Sequence, residues 1–196
     1  MGDMMINRRE ALEKYEEAKK KGEVDEDIVS LLDTINSSKN YYTTSSCSGR
    51  IVLFQIPEIG DKVNANFIGK WHREVEYEEI KKALEDYTKG YLFLLVQSAI
   101  IHVVADSLER GKEMIALALE SGFKYTSIKN IKNGKVLVEI LSTENIHIPL
   151  GKNGELMVDE KALEFFVEMA NKTLQRIKRK LKNLEKNLRR VLPFFS

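Results

Sequence analysis

The stretch Phe123-Lys124-Tyr125-Thr126-Ser127-Ile128-Lys129-Asn130-Ile131-Lys132-Asn133-Gly134-Lys135-Val136-Leu137-Val138-Glu139-Ile140-Leu141 carries the strongest short hairpin signal in the chain. Strand-like segments, around Phe123 to Ile131 and Lys135 to Leu141, flank Asn133-Gly134, a pair that readily takes the positive φ angles of a two-residue turn. Antiparallel pairing is expected there. Upstream, Leu108 to Leu119 reads as a helix that buries Met114, Ile115, Ala118 and Leu119 and stops at Gly122. The most apolar run, Tyr91 to Ala105, is interrupted by Gln97, Ser98 and His102. It is shorter than the roughly 20 residues a spanning helix needs, so it reads as buried strand, broken at Ser98 into two, and not as a membrane segment.

Towards the N-terminus, Tyr77 to Tyr87 has helical spacing through Ile80, Ala83 and Leu84, and Glu58 to Lys70 is rich in turn residues. Ile51 to Ile56 reads as a strand ended by Pro57, so Ser45-Ser46-Cys47-Ser48-Gly49 is expected in a loop entering it. Two helices are expected before that loop. One lies over Asn7 to Lys21; the other presents Ile28, Leu31, Leu32 and Ile35 on one face. From Ala162 onward, Leu163, Val167, Ala170, Leu174, Ile177, Leu181, Leu184, Leu188 and Val191 alternate steps of four and three, a heptad seam on one helix at about residues 160–190. The seam can pair with a second chain, giving a homodimer, or lie along its own domain in a monomer; a one-chain core that needs covering favours the second. Helices and strands do not alternate strictly. The expected class is therefore α+β: one domain over residues 1–196, a mixed or antiparallel sheet packed with helices, and not the doubly wound Rossmann sheet.

A chain of 196 residues with 43% hydrophobic residues, a formal charge of +1 and three prolines has the composition of a globular protein and not of a disordered, collagen-like or membrane chain. Its single cysteine, Cys47, cannot form an intramolecular disulfide, and no secretory succession opens the chain, so a cytoplasmic residence is expected. The near-neutral balance hides an asymmetry. Lys172 to Arg190 holds nine Lys or Arg and one acid, for a net charge of +8, leaving −7 on the remainder. A polyanion can be drawn to that end.

Tyr41-Tyr42-Thr43-Thr44-Ser45-Ser46-Cys47-Ser48-Gly49-Arg50 concentrates small hydroxyl residues before Gly-Arg. Backbone N–H groups and hydroxyls in such a segment converge on an anion, and Arg50 can fork two hydrogen bonds to a carboxylate or phosphate. From chemistry alone it reads equally as an ordinary polar loop. His102 stands in an apolar strand as a base, an orienting group or a hydrogen-bonded core histidine. Cys47 has no sequence-adjacent base, and one Cys with three scattered His gives no metal signature; no metal is expected. Trp71 stacks on a base or fills the core, and Arg176, Lys178, Arg179 and Lys182 contact RNA phosphates or form the solvated back of the heptad helix. No G-x-G-x-x-G occurs, so the usual dinucleotide turn is not expected.

The segment Thr43 to Ile51, with Val24-Asp25-Glu26-Asp27-Ile28 and Ile35-Asn36-Ser37-Ser38 before it, resembles the wybutosine-synthesis protein 3 family. Later blocks follow in the same order: Ile101-His102-Val103, Ala116 to Lys124, Leu141-Ser142-Thr143 and Ile148-Pro149-Leu150. Where the family commonly has a glycine-rich run before its tryptophan, then apolar residues, a Ser or Thr, and His, this chain has Ile68-Gly69-Lys70-Trp71-His72-Arg73-Glu74, and no role is assigned to His72. The resemblance implies methyl transfer from S-adenosylmethionine to a ring nitrogen of a tricyclic guanosine derivative in hypomodified phenylalanine tRNA, next to the anticodon. On that footing Ser45, Ser46, Ser48 and Arg50 are expected to hold the cofactor, with Ser121, Ser142 and Thr143 as further polar groups of its pocket. His102 is the expected base or orienting group, and the basic helix with Trp71 the expected tRNA contact. The competing reading is a non-catalytic RNA-binding protein.

Overall fold

The computed structural model describes residues 7–61 and 63–192. Helix α1 (Arg8–Lys20) starts at Asn7, whose side chain accepts the Glu10 N–H at 2.9 Å and satisfies one of the free donors of the first turn. A 3-10 turn (Glu26–Ile28) leads into α2 (Val29–Ser37), which buries Leu31, Leu32 and Ile35 beside Ile28, as the spacing predicts. Then follow β1 (Tyr41–Cys47), β2 (Arg50–Ile56), β3 (Asn66–Trp71), α3 (Tyr77–Leu84), β4 (Tyr91–Gln97), β5 (Ile100–Ala105) and α4 (Leu108–Glu120). Next come β6 (Ser127–Lys132), β7 (Lys135–Leu141), β8 (Ile146–Lys152), β9 (Glu155–Leu156) and the long α5 (Glu160–Val191).

All pairings among the described strands are antiparallel, in a four-stranded sheet of order β1-β5-β7-β6 and a five-stranded sheet of order β3-β2-β4-β8-β9. The expected α+β class holds, and the sheet is not doubly wound. Asn133 and Gly134 both have positive φ, 53° and 77°, and join β6 to β7 as the hairpin signal requires. The apolar run breaks at Ser98-Ala99 into β4 and β5.

Three strands correct the sequence reading. Ser45, Ser46 and Cys47, expected in a loop, are the end of β1, whose first residues, Tyr41 to Thr44, are of turn or extended preference; pairing with β5 from Tyr41↔Ala105 to Cys47↔Ile100 satisfies backbone groups that a loop would leave to water. Only Ser48-Gly49 separates it from β2, and Gly49 turns there with φ 88°. Strand β3 begins inside the stretch read as turns and ends just beyond it at Trp71, and β8 runs through His147 and Pro149, where no strand is expected. In both, neighbouring strands supply the pairing that a weak local preference does not.

The chain divides into two compact units. The first holds the described residues up to Ser48, Ala99–Thr143 and those from Ile177 on; it contains the four-stranded sheet with α1, α2, α4 and the later half of α5. On one side of its sheet Ala11 of α1 packs with Tyr42, Val104 and Leu137. Elsewhere Gly111 lets α4 approach β7 closely, since a Cβ there would press on Val136. The second unit, Gly49–Ser98 with Glu144–Arg176, contains the five-stranded sheet, α3 and the earlier half of α5. Asn171 of α5 clasps the Val75 backbone, accepting its N–H and donating to its carbonyl at 2.9 Å each. Gly90 turns into β4 with φ 66°, where a side chain would run into the Ile56 carbonyl.

Within both units the heptad seam is consumed by the chain itself. Leu163, Val167, Ala170 and Leu174 are buried in the second unit, and Ile177, Leu181, Leu184 and Leu188 in the first. The helix is an amphipathic cover for the core of each unit.

Candidate active site

Across the four-stranded sheet, Ser45 of β1, His102 of β5, Glu139 of β7 and Ser127 of β6 stand opposite one another in register. Directly paired residues project to the same side, so the fold lines up the first three side chains. Ser45 Oγ lies 2.8 Å from His102 Nδ1, and His102 Nε2 lies 3.0 Å from Glu139 Oε2. Lys129 reaches the other carboxylate oxygen at 2.7 Å from the irregular point of β6, where the register slips between Ile128 and Asn130. His102 and Glu139 are buried, while Ser45 is exposed.

Burial alone would raise the Glu139 carboxyl, but the His102 and Lys129 hydrogen bonds and the Lys129 charge bring it below its ordinary value. An ionised Glu139 accepts the Nε2–H of His102. That assigns the neutral ring its proton on Nε2 and leaves Nδ1 to accept from the Ser45 hydroxyl. The row is thus hydroxyl to imidazole to carboxylate, open at the hydroxyl end. It can take a proton from a group at Ser45 and hold the resulting imidazolium against Glu139.

Beside Ser45 a cavity of about 290 Å³ runs between α1 and β1, lined by residues that include Lys14, Tyr15, Glu23, Thr44, Ser45 and Ser46. The Thr44 hydroxyl is buried there without a hydrogen-bond partner. A second polar cluster secures the end of β1. Asp25 accepts the Ser48 N–H at 2.7 Å, the Ser48 hydroxyl accepts from Lys178 at 2.6 Å, and Lys178 pairs with Asp27 at 2.6 Å.

In the second unit, Arg50 donates from Nε to Gln97 Oε1 at 2.6 Å across β2 and β4, and its guanidinium lies 5.4 Å from the Phe67 ring centre. Trp71 pairs with Ile51, its ring over Gly69, on the side of the sheet that carries the buried Ile51 and Leu53.

The expected site residues therefore fall into distinct settings. Ser45 and His102 meet directly. Ser45 and Ser46 also line the cavity, whereas Ser48 is buried with its hydroxyl on Lys178. Ser121 is committed to packing: it donates to the Leu117 carbonyl at 2.7 Å and accepts from Asn187 at 2.9 Å. Ser142 is buried and Thr143 half-buried, at the end of β7 where the first unit's chain segment closes. On α5, Arg179 and Lys182 are exposed, Arg176 pairs with Glu144 at 2.9 Å, and Lys178 is engaged as above.

The family model described as Methyltransferase TYW3 matches residues 6–190. The chain belongs to this family. It is 51% identical, over 92% of its length and 92% of the relative's, to a Pyrococcus horikoshii protein named tRNA(Phe) 7-((3-amino-3-carboxypropyl)-4-demethylwyosine(37)-N(4))-methyltransferase 1. A Thermococcus sibiricus methyltransferase bearing the same description without the final numeral is 48% identical over 95% of this chain and 94% of its own. Among solved structures, PH1069 from Pyrococcus horikoshii superposes with a TM-score of 0.89 at 51% identity, covering 92% of this chain and 93% of that one. A hypothetical protein from Aeropyrum pernix shares the fold at a TM-score of 0.75 and 24% identity, over 85% of this chain and 98% of its own. As a methyltransferase of the TYW3 family, the chain calls for a methyl donor. No helix among the described residues is long and apolar enough to cross a membrane.

Sequence reasoning missed Glu139, Lys129, Asp25, Lys178 as a Ser48 partner, and Gln97. Glu139 had a visible signal: it is the only charge in the apolar run Val136 to Leu141, and a lone carboxylate on a buried strand needs a partner.

Proposed function

We propose that the protein transfers a methyl group from S-adenosylmethionine to a ring nitrogen of a wybutosine-type tricyclic guanosine beside the anticodon of phenylalanine tRNA. The observation that carries this reading is the Ser45–His102–Glu139 row, found in a chain whose relatives are named for methylating that nucleoside. A ring nitrogen that starts with a proton must lose it for net methylation. The row supplies the acceptor: Ser45 passes the proton to Nδ1 of His102, and Glu139, held by Lys129, stabilises the imidazolium.

When bound, the donor supplies an electrophilic methyl on a sulfonium. The residues present suit its amino-acid end, a zwitterion, because the cavity between α1 and β1 offers Lys14 and Glu23 as opposite charges and the unpartnered Thr44 hydroxyl as a further polar group. Its volume of about 290 Å³ is at the low end of small-molecule pockets, at about 300–1,000 Å³, and fits one end of such a molecule. Ser46 and Thr44 bind and orient. Within the second unit, Arg50 by itself has the terminal N–H groups to hold a carboxylate or phosphate.

Calorimetric titration of the purified protein with S-adenosylmethionine tests the donor directly. Saturable binding is expected, and Thr44→Val is expected to weaken it about five- to tenfold, the worth of one neutral hydrogen bond. A protein that binds tRNA but shows no heat with the donor would be the non-catalytic RNA binder instead.

The basic face of α5 supplies charge for the tRNA backbone in this reading. Arg176, Arg179 and Lys182 changed together to Gln are expected to weaken tRNA binding and to reduce its salt slope by roughly 0.7–0.9 for each phosphate that is no longer neutralised. Lys178 is left out of the set because its removal would strand Asp27 and Ser48. Equal affinity and slope in the triple variant would return these residues to a solvated helix back.

A further inference from the structure

We propose that the open side of the five-stranded sheet is a stacking platform for unpaired nucleotides of the RNA substrate, with Phe67 as its outermost ring. The platform presupposes the tRNA reading above.

Registry defines the surface. Phe67, Phe54, Phe93 and Pro149 stand opposite one another on β3, β2, β4 and β8, so one apolar row crosses four strands. Lys70, Val52, Leu95 and His147 form the row on one side of it, and Ile56, Tyr91 and Lys152 the row on the other. Cross-strand partners project to the same side, and the rows follow at steps of two residues along β2 and β4, while the register slips of β3 and β8 absorb the three-residue steps from Phe67 to Lys70 and from Pro149 to Lys152. Val52, Ile56 and Leu95 are buried within these rows, yet Phe67 is 44% exposed, and Phe54, Phe93 and Tyr91 are partly so. A ring that exposed on an edge strand, with further rings beside it, leaves apolar surface open to solvent.

The rings carry cations. The Phe67 ring lies 5.4 Å from the Phe54 ring and 5.4 Å from the Arg50 guanidinium, and the Lys152 ammonium stands 5.3 Å from the Tyr91 ring centre. Lys70 and His147 are exposed in the neighbouring row. Among the described residues of these rows and of the Arg50–Gln97 pair, the one acidic side chain is Glu155, opposite Lys152 at the β9 margin. Aromatic faces between Lys and Arg are the chemistry that holds splayed-out bases, the rings taking the bases and the cations the phosphates. A neutral protein partner would need the rings but gain nothing from the cations. A duplex would need the cations and leave the rings idle.

The test is fluorescence anisotropy with an anticodon stem-loop RNA and, as control, a hairpin of the same length with the loop bases paired. The wild type is expected to prefer the open loop. Phe67→Ala and Phe67→Leu are each expected to weaken open-loop binding about five- to hundredfold, Phe67→Tyr to restore it, and the salt slope to stay unchanged, since no charge is removed. Thermal midpoints confirm that each variant is folded, and Lys70→Glu gives a second, exposed position at which weaker binding is expected. Wild-type affinity in Phe67→Ala, or full retention in Phe67→Leu, would overturn the platform. If such variants also methylate tRNA normally, the platform alone fails and the functional reading stands; a wild type with no affinity for the loop and no methylation removes both.

Discussion

His102→Ala is expected to lower single-turnover methylation of hypomodified phenylalanine tRNA by about 10²–10⁴-fold, the usual worth of a positioned general base. Binding of donor and tRNA should change little, since the imidazole acts on a proton that moves only in the reaction. Glu139→Gln is expected to reproduce much of this loss with the imidazole still present. An amide can turn its NH₂ towards Nε2, which moves the ring proton to Nδ1 and removes the acceptor facing Ser45. The pH dependence has a defined sign. Because the folded Glu139 pKa is below its ordinary value, its ionised form stabilises the native state above that ordinary value, and the contribution is lost as pH falls through the lowered folded pKa. Glu139 therefore stays ionised through neutral and mildly acidic pH. Lys129→Met is expected to move its titration upward, towards neutrality, as a carboxylate-specific NMR titration would read. A fully active His102→Ala would leave the row as a buried polar pairing within the sheet.

Leu184→Ala in α5 is expected to cost about 2–5 kcal/mol of stability, the range for deleting a fully buried leucine side chain that leaves a cavity. For a domain near this size, each kcal/mol corresponds to about 2–4 °C in the midpoint of thermal unfolding. The effect should not depend on protein concentration, because the seam from Leu163 to Leu188 is buried by the chain's own two units. An exposed neighbour, Lys182→Ala, should change stability by no more than about 0.5 kcal/mol. A destabilisation at Leu184 that disappears on raising the concentration would show the seam working between chains.

The parts of the fold legible in the sequence are those with strong local signals. Asn133-Gly134 fixes its hairpin because few other pairs tolerate two positive φ angles, and α5 is written in nine seam residues at a constant period. Strands β1, β3 and β8 are not legible in the same way. Their residues are hydroxyl-rich, turn-forming or proline-containing, and they become strands only because β5, β2 and β4 present edges to pair with.

The site follows the same division. His102 stands out as an ionisable group in an apolar strand, and Ser45 as part of an unusual hydroxyl run. What the sequence does not disclose is partnership over distance: Ser45 and His102 are 57 residues apart, His102 and Glu139 37, and Ser48 and Lys178 130. Lys178 shows the consequence. By charge it belongs with Arg179 and Lys182, but position on the helix turns it inward to Ser48 and Asp27, where it holds the end of β1 in place of facing RNA phosphate.

Methylation of one tricyclic nucleoside is the central claim, and nucleoside mass analysis reads it directly. Phenylalanine tRNA from cells lacking this protein is incubated with the purified chain and S-adenosylmethionine, then digested and separated. The tricyclic guanosine derivative is expected to gain the mass of one methyl group in place of one hydrogen, and His102→Ala to leave it largely unconverted. An unchanged tricyclic nucleoside after incubation with the folded, donor-bound wild-type protein would contradict the claim.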